Sequence, residues 1–162
     1  VLKLYKLTDS QKLYWETWDN EDGTHTVHWG ELGAEGESKT VKSSLLKKAT
    51  DIIQKKIDDL VSDGYRPVDP EDHFTLLIEY AVDGIGGAED VEKRHRLEGR
   101  MNETLGWTGL GACDGGSIGI GTMEVCNFVV DFELAKKVIA ADLLGTEFSN
   151  YTRIYDEDAE NG

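Results

Sequence analysis

Short runs in which aromatic and branched side chains alternate with polar ones fill the first third of the chain, at residues 2–7, 13–18 and 24–29. The last two are separated by Asn20-Glu21-Asp22-Gly23, a polar turn sequence, so the pattern predicts a β-meander, with a fourth short strand at 39–42. The period then lengthens. Leu45, Leu46, Ala49, Ile52, Ile53, Ile57, Leu60 and Val61 recur at three and four residues with lysines and aspartates between them, which predicts an amphipathic helix capped by Ser43 or Ser44. Asp63-Gly64 ends it, glycine being the residue that best accepts the left-handed turn after a helix.

Both prolines of the chain, Pro67 and Pro70, lie in one polar stretch. The domain boundary is placed there, giving a first domain at 1–66, a linker at 67–72, a second domain at 73–155 and an acidic, frayed tail at 156–162. In the second domain a strand is expected at 74–82, a helix at 88–105 whose inner face uses Leu97, Met101 and Leu105, and a strand at 122–130. Asp131 caps a further helix running to Leu144, with Leu134, Ala135, Val138, Ile139 and Leu143 near one face and Gly145 as its stop. A last strand is expected at 151–155. With one more strand at 109–113 the order becomes βαββαβ, the ferredoxin-like split βαβ arrangement. The fold class expected is therefore α+β.

The net charge of −15 bears on partners. Residues 1–68 carry 10 Lys/Arg against 12 Asp/Glu, and residues 69–162 carry 7 against 20, so the acidity belongs to the second half. Such a surface repels phosphate backbones and anionic lipid and suits a basic protein. No apolar stretch approaches the roughly 18 residues that a membrane span requires, and no N-terminal leader pattern is present, so a cytoplasmic location without membrane contact is expected. Cys113 and Cys126 belong to no Cys-x-x-Cys pattern, and a reducing cytosol implies that they stay unpaired.

Little in the sequence carries chemistry. His25-x-x-His28 has the spacing of a chelate only on a helix; on a strand the two rings point to opposite faces. The glycine-rich run 106–121 fits neither a phosphate loop nor a dinucleotide fingerprint, because a strand follows it and no Lys, Arg or His occurs between Arg100 and Lys136. It reads as a bulged hairpin that places Cys113 opposite Cys126, with Trp107 and Asp114 as its partner-binding positions. Cys113 beside Asp114 sits in acidic surroundings that disfavour a thiolate. His73 and His95 read as surface or boundary groups. No catalytic residue, metal site or cofactor is expected.

One motif points to a family. Trp29-Gly30-Glu31-Leu32-Gly33, with Gly36, follows the meander and precedes the long helix that ends in Asp63-Gly64-Tyr65. In these features residues 2–65, about the first 40% of the chain, resemble the WGR domain of DNA-dependent poly(ADP-ribose) polymerases and of assorted bacterial proteins. The resemblance implies a domain that binds the end of a DNA strand break, the tryptophan packing against the terminal nucleotide and the arginine supplying charge. Trp29 and Gly30 match the motif. Glu31 stands where the arginine is expected, and it turns an attraction for phosphate into a repulsion. The expected function is that of a non-catalytic bacterial adaptor or immunity-type inhibitor with a basic protein partner, Trp29, Gly30 and Glu31 being contact positions; the alternative is a sensor of DNA ends.

Overall fold

The computed structural model describes residues 1–161 and is mixed α+β, with two antiparallel four-stranded sheets and, among the described residues, four α-helices. The chain divides into two compact units, Val1–Asp69 and Pro70–Gly162. No helix of the described residues is long and apolar enough to cross a membrane.

In the first unit β1 (Leu2–Leu7), β2 (Lys12–Asp19), β3 (Thr24–Glu31) and β4 (Glu37–Lys42) form a meander in sequential order. The two-residue period sends Leu4, Trp15, Val27 and Val41 to one face, where Ala49, Ile53 and Leu60 of helix α1 (Ala49–Ser62) pack on them. The chain leaving α1 turns back to the free edge of β1: Arg66 N–H donates to Tyr5 O and Tyr5 N–H to Arg66 O, each at 2.8 Å.

The helix begins four residues later than the pattern predicts. Ser44 Oγ accepts the amides of Leu46 and Lys47, at 3.3 and 3.1 Å, and so closes a local turn. Ser43 Oγ accepts from Ala49 N–H at 2.9 Å. The serines hold the approach to the helix, while Leu45 and Leu46 stand fully in solvent.

The second unit has the element order β5 (Phe74–Ala81), α2 (Ala88–Trp107), β6 (Gly111–Ile118), β7 (Thr122–Val129), α3 (Phe132–Leu143), β8 (Arg153–Asp156) and α4 (Glu157–Asn161), with the strands ordered β6-β7-β5-β8. Leu97, Met101 and Leu105 of α2 and Ala135, Ile139 and Leu143 of α3 have no exposed surface, and all are positions the periodicity assigned inward. Asp131 caps α3 through Oδ1, which accepts Leu134 N–H at 3.0 Å. Arg100 ties the two helices together: Nε donates to Asp142 Oδ2 at 2.8 Å and Nη2 to Asp142 O at 3.0 Å.

Three expectations are corrected here. The strand expected at 109–113 starts at Gly111 and runs to Ile118, because Leu110 N–H still bonds Leu105 O at the end of α2. A bulge between Cys113 and Gly115 sets Gly115 opposite Cys126 and Cys113 opposite Asn127, so the cysteines are not register partners. The tail is not frayed from Asp156: that residue ends β8, whose first residue is Arg153 and not Tyr151, and residues 157–161 form α4 against β5. Gly162 lies outside the described residues.

Candidate functional site

The five contact positions read from the sequence do not form one site within either unit. Trp29, Gly30 and Glu31 are consecutive on β3 and so alternate between the two faces of the first sheet. Trp29 lies on the helix-facing side, half-buried against the core cluster. Gly30 faces the opposite side, where a Cβ would lie 2.8 Å from Gly36 Cα and 3.3 Å from the Tyr14 hydroxyl oxygen. Glu31 is exposed at the strand end. Trp107 and Asp114 belong to the second unit. Trp107 ends α2 with its Nε1–H donating to Glu103 Oε2 at 3.0 Å, and Asp114 is the exposed residue of the β6 bulge.

The side of the first sheet away from α1 is closed by the glycine loop that follows β3. Tyr14 Oη lies 2.8 Å from Ala34 O and 2.9 Å from Glu35 O, and 3.1 Å from His28 Nε2. His28 Nε2 also contacts Glu35 O, while Nδ1 donates to Glu16 Oε2 at 3.0 Å. His28 is 1% exposed and Glu16 8%. Burial, and after it the carboxylates of Glu16 and Glu35, push the Tyr14 phenol well above its ordinary range, so it remains a donor to the loop carbonyls. The polar groups here bond to the loop or to one another. The cluster fastens Gly33-Ala34-Glu35-Gly36 over the sheet and has the chemistry of a latch.

On the helix side the same motif opens onto a cleft of about 490 Å³. Trp15, Val27, Trp29 and Val41 make its floor, Ile52, Ile53 and Leu60 of α1 its wall, and Tyr65 closes one end. Lys39, Lys55, Lys56 and Asp59 stand around it. Lys55 Nζ pairs with Asp59 Oδ2 at 3.4 Å, a largely exposed contact. Lys39 and Lys56 have no ion-pair partner among the described residues. A concave apolar surface of this size with a few charges at its edge is the form that ligand sites take.

The pattern marks Trp29 and the helix face of Ile52, Ile53 and Leu60 but not their meeting in one cleft, nor the lysines of its rim. A local signal for the rim existed: residues 39–56 hold six lysines and a single acid, Asp51, in a chain of net charge −15. Tyr65 and Trp15 meet Trp29 only through tertiary packing and gave no such signal.

In the second unit both hairpin thiols are shifted toward the neutral form. Burial, and after it the nearby carboxylates beginning with Asp114, pushes the Cys126 thiol up to about 11. The Cys113 thiol is raised in the same direction, chiefly by burial. Cys113 Sγ lies 3.4 Å from Cys126 O, and both cysteines are free. His25 and His28 point to opposite faces of the first sheet, as strand spacing requires; His25 is opposite Val41 and half-buried. His73 is half-buried and His95 exposed. Among the described residues no group of His, Cys, Asp and Glu is placed to hold a metal ion.

No family model, no curated protein and no solved structure matches the chain.

Proposed function

We propose that this chain acts by binding and not by catalysis, as a bacterial adaptor or immunity-type inhibitor whose acidic second unit engages a basic protein. The observation that carries this reading is the fate of the arginines of that unit. All four are held by carboxylates: Arg94 by Glu98 at 3.4 Å, Arg96 by Glu147 at 2.7 Å, Arg100 by Asp142 at 2.8 Å and Arg153 by Glu79 at 3.3 Å. Lys93 is turned inward too, hydrogen-bonded to Asn150 at 2.8 Å and set over the Tyr80 ring. The arginines are thus engaged by carboxylates of the unit itself, Lys136 and Lys137 of α3 are its exposed lysines, and the surplus acids, among them Glu89, Glu92, Glu103 and Asp114, face solvent. Such a field raises the rate of encounter with a basic surface and suppresses wrong partners.

The strand order β6-β7-β5-β8 with a βαββαβ succession supports a ferredoxin-like reading of this unit. The meander, the glycine loop and the single long helix support a WGR-like reading of the first. Exposed Trp107 and Asp114 are the contact positions proposed on the second unit. The test is capture of a protein from the source cell by the full chain, compared with a Trp107→Ala, Asp114→Asn variant. Loss of capture in the variant, and between about 50 and 300 mM salt, supports the reading. Equal capture by the variant, or none by either, removes it.

A second reading is favoured by one observation, the three lysines beside Trp29. They suit the terminal phosphate of a nucleic-acid end, against the repulsion of Glu31. Titration of a nicked duplex at about 50 mM salt tests it, since phosphate contacts are strongest there. Binding that Trp29→Ala abolishes supports it, and no binding eliminates it.

A further inference from the structure

The cleft of the first unit has the opposite charge character to the rest of the molecule, and it is an apolar volume that nothing in its own unit fills. At about 490 Å³ it lies within the range of pockets that enclose a compact ligand or a large side chain. Trp29 is half-buried and presents part of its surface to the opening, with Val41 below it and Ile52 across from it. Apart from the charged rim the lining is made mainly of aliphatic and aromatic side chains, so it suits an apolar entering group.

The charges decide what accompanies that part. Val27 and Lys39 are direct partners on β3 and β4, so the lysine stands on the helix-facing side, beside the floor of the cleft. Lys56 approaches from α1, and both are without an anion. Lys55 already shares Asp59, but that pair is exposed and worth little, so a better-placed carboxylate displaces it. Three ammonium groups therefore gather at one opening, two of them uncompensated.

A polyanion is a poor occupant. Glu37 is the register partner of Trp29, and Glu31 and Glu35 are exposed in the adjoining strand end and loop. A duplex carries about one charge per 1.7 Å and extends past the lysines into that acidic border. A short segment with two or three carboxylates next to its apolar residue matches the lysines, its apolar residue and not its carboxylates lying nearest Glu37.

We propose that the cleft between β3, β4 and α1 docks an acidic segment of a partner protein, an aromatic side chain entering beside Trp29 and the flanking carboxylates meeting Lys39, Lys56 and Lys55. This goes beyond the reading given for the second unit, since it uses a different surface, the opposite sign of charge and a different class of partner sequence. With both, the chain has two recognition surfaces of complementary polarity.

The experiment uses the full chain and a fluorescein-labelled peptide of about twelve residues, a central Phe within Asp and Glu, read by anisotropy at about 50 mM salt. Two further peptides replace the Phe by Ser, or the acids by Lys. The expected result is saturable binding of the acidic Phe peptide, weakened at least about tenfold by the Ser replacement, as for an anchor residue. Lys39→Glu with Lys56→Glu should weaken it by a similar factor, and both positions are exposed, so the fold is retained. Trp29→Ala should abolish it; because Trp29 also touches the core, the lysine pair is the decisive variant. Equal binding of the Ser peptide would show charge attraction alone and overturn the proposal. So would indifference to the two lysine reversals, or displacement of the peptide by one equivalent of a nicked duplex. Displacement of the acidic Phe peptide by the lysine peptide would likewise overturn the cleft assignment.

Discussion

Nδ1 of His28 lies 3.0 Å from Oε2 of Glu16, two residues directly opposite each other on neighbouring strands and both buried under a loop of glycines. Nε2 of the same ring meets the Glu35 carbonyl in that loop, so one imidazole bridges the strand carboxylate and the loop. His28→Ala leaves a buried carboxylate and a loop carbonyl without their donors. It is expected to cost about 3 kcal/mol of stability, read as a fall in the urea midpoint at constant slope. Tyr14→Phe removes only the hydroxyl and is expected to cost about 1–2 kcal/mol. A His28→Ala protein as stable as the parent would sink the latch interpretation.

Gly36 and Gly99 should respond in opposite directions to the same replacement. Gly36 has φ +68°, and a Cβ there would run into the Trp29 carbonyl oxygen, which is backbone and cannot swing aside. Gly36→Ala is expected to lower stability by about 2 kcal/mol or more and to loosen the glycine loop. Gly99 lies within α2 with open space where its Cβ would be, so Gly99→Ala should raise stability by about 0.5–1 kcal/mol. Thermal melts of the two variants beside the parent read both signs at once.

Alkaline pH should unfold the protein before its buried phenols ionise. Burial, and after it Glu16, pushes Tyr5 up to about 12, and burial together with the bond to Glu124 pushes Tyr155 up to about 12. Tyr80, buried and donating to Phe148 O at 2.8 Å, is raised as well. An unfolded phenol ionises near pH 10, so the unfolded chain releases these protons first. The stabilisation is thus complete below about pH 10 and is lost as pH rises toward 12. Tyrosinate absorbance near 295 nm should show late-ionising tyrosines that titrate together with loss of circular dichroism; a single early transition with the fold intact would contradict this.

The thiols should be slow. With Cys126 held near 11, a thiol reagent at about pH 8 meets roughly a hundredfold less thiolate than at an unperturbed cysteine. Reaction in the folded state should be slow for Cys126 and slowed for Cys113, and urea should bring both to the rate of a free thiol. Full-speed reaction of both in the folded protein would refute the burial argument.

What was legible in the sequence follows the range of the forces involved. Leu97, Met101 and Leu105 declared their face because helical periodicity is a local property, and Asp131 declared the start of α3 because a cap acts within three residues. Leu45 and Leu46 fitted the same period, yet Ser43 and Ser44 offered their backbone a competing set of bonds, and the turn prevailed over the helix. The bulge was hidden because Gly115 and Gly116 bring no side-chain pattern from which to read register. The pairing of Glu16 with His28 and the gathering of Lys39 with Lys56 join residues twelve and seventeen apart in the chain, and only the sheet and its helix make them neighbours.

The return of Arg66 to Tyr5 also determines how the first unit behaves toward other chains. β1 is the edge of its sheet, and an unpaired edge is a template on which a foreign strand adds. The exit segment occupies that edge at its midpoint, with the Arg66 guanidinium turned back to donate to Val61 O and Tyr65 O at 2.6 Å. That edge is thereby covered at its midpoint, and a version cut before Tyr65 would keep all four strands of this sheet and yet open the β1 ladder to recruit copies of itself.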